Sequence, residues 1–103
     1  MSARPRILLI DDEPSIIKMV SKRLDVEGFD VVVAMDGQEG LDKARSEKPD
    51  LIIVDVMMPK LNGYEICSTL KQDAQYRAIP VMLFTAKAQE KDEKLGIDRK
   101  SVV

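Results

Sequence analysis

The sequence predicts an α/β fold, a doubly wound parallel sheet with helices on both faces, and three observations carry that prediction. Short apolar runs, too brief for buried helices, read as strands covered on both sides. Segments with helical spacing alternate with those runs, which implies right-handed βαβ units. Two of the runs, Ile7-Leu8-Leu9-Ile10 and Leu51-Ile52-Ile53-Val54, stop at acidic residues, Asp11-Asp12 and Asp55.

Taken in order, Arg6 to Ile10 is the first strand, and Pro14 stands where a first helical turn tolerates a missing N–H. Ile16, Ile17, Val20 and Leu24 then recur on one helical face, with Lys18, Ser21, Lys22 and Asp25 on the other. Gly28 ends that helix, and Phe29 to Ala34, rich in valine, is the second strand. Asp36 is the predicted N-cap of a helix that carries Leu41 and Ala44 and stops before Pro49. Asp50 to Asp55 is the third strand. Met57 to Gly63 contains Pro and Asn-Gly and reads as a loop. A third helix follows with Ile66, Cys67 and Leu70 inward, then a polar connection from Gln72 to Ala78. Ile79 to Phe84 is a fourth strand with proline near its start. Lys87 to Leu95 is charged enough to be an exposed helix or a mobile segment. No repeat, low-complexity tract or linker interrupts the chain, so residues 1–103 read as one domain.

Composition bounds the function. Charged residues make up 33% and hydrophobic ones 45%, which suits a globular chain. A net charge of −2 gives no general attraction to nucleic acid or anionic lipid, so direct nucleic-acid and membrane binding are not expected. No run of about 20 apolar residues is present and no signal-like leader, and the lone Cys67 fits a reducing compartment. A cytoplasmic location is the expectation. The absence of histidine excludes His-built zinc sites and Ser-His or Cys-His nucleophiles.

In open parallel sheets ligands bind outside the carboxyl ends of the strands, and Asp11, Asp12, Asp55 and Thr85 all fall at that edge. Carboxylates gathered there repel unless a divalent cation with oxygen ligands offsets them. The competing readings are turn residues for Asp11 and Asp12, a helix cap for Asp55 and ordinary sheet chemistry for Thr85. Glu13 reads as facing solvent or the helix start, and Lys60 and Lys87 as solvated charges. Cys67 and Tyr64 read as packed, an exposed partner face being the alternative for Tyr64, and the six methionines read as gap-fillers.

Ile-Asp-Asp-Glu-Pro at 10–14, Asp-Val-Met-Met-Pro at 55–59, Asn-Gly-Tyr-Glu at 62–65 and Phe-Thr-Ala-Lys-Ala at 84–88 together resemble the receiver domain of two-component response regulators. The match spans about residues 4–97, with 98–103 a divergent tail. The resemblance implies a flavodoxin-like sheet of order 2-1-3-4-5, which makes the first and third strands neighbours. It also implies that Asp55 accepts a phosphoryl group from a phosphohistidine on a histidine kinase or phosphotransfer protein. Mg2+ would be held by Asp11, Asp12, Asp55 and the backbone carbonyl of Met57, with Asp11 acting mostly through water. Thr85 would contact the phosphoryl group and switch a protein-interaction surface.

The departure is at the end. The family continues into a fifth strand that delivers a lysine followed by proline and then into a fifth helix, whereas Lys100 comes too soon and no proline follows it. The fifth strand and helix are therefore expected to be missing or rudimentary, Ser101 to Val103 forming a stub at best. The fourth strand would become an edge lined with Val81, Leu83 and Phe84, inviting a homo-oligomer, and phosphotransfer would be weak. Two function classes follow: a phosphorylatable signalling receiver, not an enzyme beyond its own phosphorylation and dephosphorylation, and a receiver-shaped assembly module that works without phosphate. A metal-dependent phosphohydrolase would want a carboxylate at position 57, which is Met.

Overall fold

The computed structural model describes residues 4–84 and the backbone of 101–102. Its elements are β1 (Arg6–Ile10), α1 (Pro14–Val26), β2 (Asp30–Ala34), α2 (Gly37–Glu47), β3 (Leu51–Asp55), α3 (Gly63–Lys71), β4 (Val81–Phe84) and β5 (Ser101–Val102). The sheet order is β2-β1-β3-β4-β5, with β1 to β4 all parallel. The order matches the expectation. β5 departs from the parallel pattern, running antiparallel to β4 with Met82 opposite Val102 and Leu83 opposite Ser101. An antiparallel partner requires no right-handed crossover. The edge of β4 expected to be bare is thus paired over Met82 and Leu83.

Side chains alternate across the sheet as the pleat requires. Leu8, Ile10, Ile52, Val54, Val81 and Leu83 point to one face, where they form a single core with Leu41 and Ala44 of α2 and Ile66, Cys67 and Leu70 of α3. Each fully buried aliphatic side chain there contributes about 1.5–3 kcal/mol. Val81 and Leu83 therefore lie under α3 and do not line an exposed edge. On the opposite face Ile7 and Leu9 are buried, while Leu51, Ile53, Met82 and Phe84 are half-buried.

α1 covers that second face without burying any residue fully. Ile16, Ile17, Val20 and Leu24 are half-buried, and so is Ser21, whose Oγ is enclosed. Ser21 therefore does not share the solvent face with Lys18, Lys22 and Asp25. It follows Ile17 by one helical turn and so lies on the same stripe.

Local chemistry fixes the other helices. Asp36 caps α2, its Oδ1 accepting the Glu39 N–H at 2.8 Å. Asn62 and Glu65 form a capping box at α3: Asn62 Oδ1 accepts from Glu65 N–H at 3.0 Å, and Glu65 Oε1 accepts from Asn62 N–H at 2.9 Å. β2 is an outer strand whose odd-numbered residues turn their polar groups away from β1. There Lys43 Nζ donates to Val33 O at 2.6 Å and Met35 N–H to Glu39 Oε1 at 2.9 Å, so one turn of α2 covers that edge.

Candidate metal centre

The register of three parallel strands assembles the site. Ile10 stands beside Val54 on one side and Ala34 on the other. The residues that follow, Asp11 and Asp55, therefore emerge together at the carboxyl edge. One carboxylate oxygen from each of Asp11, Asp12 and Asp55 lies within 4.8 Å of the others. Asp11 and Asp55 are 0% exposed and Asp12 is half-buried.

Backbone amides orient the two buried carboxylates. Asp11 Oδ1 accepts the Glu13 N–H at 2.9 Å, and Asp55 Oδ1 accepts the Met57 N–H at 2.9 Å. Both are bonds to an amide two residues on, the habit of aspartate at a turn. They restrict side-chain rotation, so less ordering remains for a ligand to impose.

Two ionised carboxylates at this spacing, within 4.8 Å, repel by on the order of 3 kcal/mol at an effective dielectric near 20. A donor set made only of oxygens, with no histidine or thiolate, suits a hard divalent cation. Mg2+ fits because it needs few protein carboxylates and keeps several waters.

The loop after Asp55 is pinned along its length. Met58 is 7% exposed and sits in the core, Leu61 packs partly against that core, and Leu61 N–H donates to Pro59 O at 2.8 Å. Lys60 adopts a positive φ of 67°. A Cβ at Gly63 would lie 2.8 Å from the Asp55 carbonyl oxygen and 3.0 Å from Val56 Cα, so only glycine lets α3 start this close to Asp55.

Among the predicted site residues, the structure brings Asp11, Asp12 and Asp55 together. Met57 enters through its N–H bond to Asp55, with its side chain exposed. Glu13 is exposed at the start of α1, as expected. Thr85, Lys87 and Lys100 lie outside the described residues. Cys67 is buried as predicted, and burial pushes its thiol up. Tyr64 is 62% exposed rather than packed, because it follows Gly63 on the outer side of the first turn of α3. Met19, Met35 and Met57 are exposed as well and fill no gap. The loop anchors Met58, Leu61 and Gly63 went unread in the sequence, although the Asn62-x-x-Glu65 spacing signals the cap that holds them.

A family model described as the response regulator receiver domain matches residues 7–100. The chain belongs to the response regulator receiver family. The receiver is 47% identical over 93 residues to the alkaline phosphatase synthesis transcriptional regulatory protein PhoP of Bacillus subtilis, covering 90% of this chain and 38% of that protein. It spans a similar minor share of the other transcriptional regulators it matches. Protein PilH of Pseudomonas aeruginosa is 41% identical, with 88% of this chain and 75% of that one covered.

Among solved structures, chemotaxis response regulator CheY4 of Vibrio cholerae superposes with a TM-score of 0.76 at 35% identity, covering 89% of this chain and 78% of that one. The receiver domain of sensor histidine kinase PA1611 from Pseudomonas aeruginosa gives a TM-score of 0.77 at 27% identity, covering 89% and 75%. That structure has a magnesium ion coordinated in its active-site cleft. No helix among the described residues is long and apolar enough to cross a membrane.

Proposed function

We propose that this chain is one receiver module that takes a phosphoryl group onto Asp55 from a phosphohistidine of a histidine kinase or phosphotransfer protein. The observation that supports this reading most is the cluster of Asp11, Asp12 and Asp55 at the carboxyl edge, with Asp55 itself held by the Met57 amide.

Asp55 is the nucleophile. One of its carboxylate oxygens attacks phosphorus, the new P–O bond forms as the P–N bond to imidazole breaks, and the imidazole leaves as a neutral ring with its proton supplied by solvent. Asp11, Asp12 and Asp55 would hold Mg2+, with the Met57 carbonyl as a further oxygen. When bound, the ion offsets the negative charge that the carboxylates and phosphoryl oxygens would otherwise bring together. Buried walls around Asp11 and Asp55 keep that electrostatic interaction strong. Thr85 is the proposed hydrogen-bond donor to the acyl phosphate, moving a surface that a cytoplasmic partner reads.

Incubation with Mg2+ and acetyl phosphate, followed by intact mass, tests the reading. One added phosphoryl group that disappears in Asp55→Asn or on chelation supports it. An unchanged mass under all conditions overturns it.

A further inference from the structure

We infer that the start of α2 is the seat of the loop that carries Met57, and that Gly37 and Leu61 are positioning residues for the metal centre. This rests on the reading of Asp11, Asp12 and Asp55 as a cation site and deepens it.

Gly37, the first residue of α2, is buried against Leu61. A Cβ at position 37 would lie 2.7 Å from Leu61 Cβ, 2.8 Å from Leu61 Cδ2 and 2.8 Å from the Leu61 carbonyl oxygen. Contacts that short do not occur, so helix and loop meet with no slack. Only the missing side chain allows it. The seat itself cannot drift, because the Asp36 cap fixes where α2 begins and Leu41 and Ala44 fasten the helix to the core.

The same loop is held at its other points by Met58 in the core and by Gly63 against the Asp55 carbonyl. Met57 immediately precedes these fixed points, next to Met58 on the Asp55 side, and its N–H orients the Asp55 carboxylate at 2.9 Å. Lys60 keeps a positive φ in this stretch, a conformation that costs a non-glycine residue free energy and persists where surrounding contacts over-determine it. The contact between Gly37 and Leu61 is such a determinant. A change there reaches the site through Met57, without Gly37 or Leu61 touching the metal.

A cleft of about 600 Å³ lined by Asp36, Gly37, Gln38, Pro59, Lys60 and Leu61 opens beside this contact. It gives the loop room to move once the seat is lost. Supporting groups that orient metal ligands typically matter even though they touch no metal.

The test uses the full 103-residue chain in two variants of opposite kind. Gly37→Ala adds atoms at the seat, and Leu61→Ala removes them without any clash. Ile79→Ala, a partly buried position away from the aspartates, controls for general loss of stability. Amide hydrogen exchange without metal is read at Met57 and at Ile52, whose N–H is bonded to Pro80 O within the sheet. Both seat variants should lower protection at Met57 roughly tenfold more than at Ile52. Mg2+ titration followed by amide shifts should show affinity about tenfold weaker in both, and within about twofold of wild type in Ile79→Ala.

Met57 protection that falls only in step with Ile52 would overturn the inference. So would a loosened Met57 with unchanged Mg2+ affinity. A wild-type chain that takes up no Mg2+ would sink the cation reading itself, and the metal-free exchange at Met57 would still decide whether the seat holds the loop.

Discussion

Ile10 and Val54 stand opposite one another on neighbouring parallel strands, and an aspartate follows each. That pairing converts two distant stretches of sequence into one acidic site. A slip of one residue would turn the apolar side chains of a strand to the wrong face, so the buried pattern of β1 and β3 also protects the site geometry.

Gathering carboxylates for a cation carries a stability cost in its absence. Asp12→Asn should raise stability by about 1 kcal/mol in the presence of chelator, because it removes one of three like charges. Mg2+ should raise the thermal midpoint of the wild type, and the same substitution should abolish that rise. Thermal unfolding with and without Mg2+ checks both outcomes, and a lower midpoint in chelator would contradict the repulsion argument.

Gly63→Ala should destabilise the chain by about 1–3 kcal/mol, since its Cβ meets backbone atoms of Asp55 and Val56 that cannot rotate away. Phosphoryl uptake should slow with it, because the start of α3 and the Asp55 backbone must move apart. Urea unfolding and the rate of mass gain with acetyl phosphate measure the two effects. An alanine variant of wild-type stability would show that α3 can shift without cost.

The pair of Glu39 and Lys43 guards the outer edge of β2. The Met35 N–H, and then the Lys43 ammonium, hold the Glu39 carboxyl below its ordinary value of 4.5. A lowered folded value means that its stabilisation is complete above the unfolded carboxyl range and is lost as pH falls through the folded value. The Lys43 and Glu39 side chains are 34% and 40% exposed, so the loss is less than about 1 kcal/mol after solvent screening. The larger effect should be on association: Glu39→Ala/Lys43→Ala uncovers Val33 O and Met35 N–H and should add dimers in sedimentation velocity near pH 7. A variant with no more dimer than the wild type would contradict the guard role.

Much of this was legible because apolar runs and their acidic ends state strand, direction and edge together. The runs around Leu8, Val32, Ile52 and Leu83 fell in the right elements, the Asp36 cap was readable from its type, and Ile66, Cys67 and Leu70 turned inward as their spacing required. Other features escaped for physical reasons. Ser21 lies on the inward stripe of α1 because helical geometry, not polarity, decides facing. Tyr64 and three methionines are exposed because apolar composition does not compel burial in a small domain with much surface. The seats at Gly37 and Gly63 depend on contacts between residues far apart or across a turn, which periodicity does not encode. The antiparallel β5 reflects pairing at an edge, where few side-chain constraints specify direction.

The central claim is that Asp55, among three clustered aspartates, receives the phosphoryl group. Borohydride reduction of the phosphorylated chain converts an acyl phosphate to an alcohol at the modified residue, and peptide mapping then locates it. The reduced residue should be Asp55, it should appear only with Mg2+, and Asp11 and Asp12 should stay unmodified. Modification at Asp12, or none at Asp55 under conditions where Mg2+ binds, would contradict that claim.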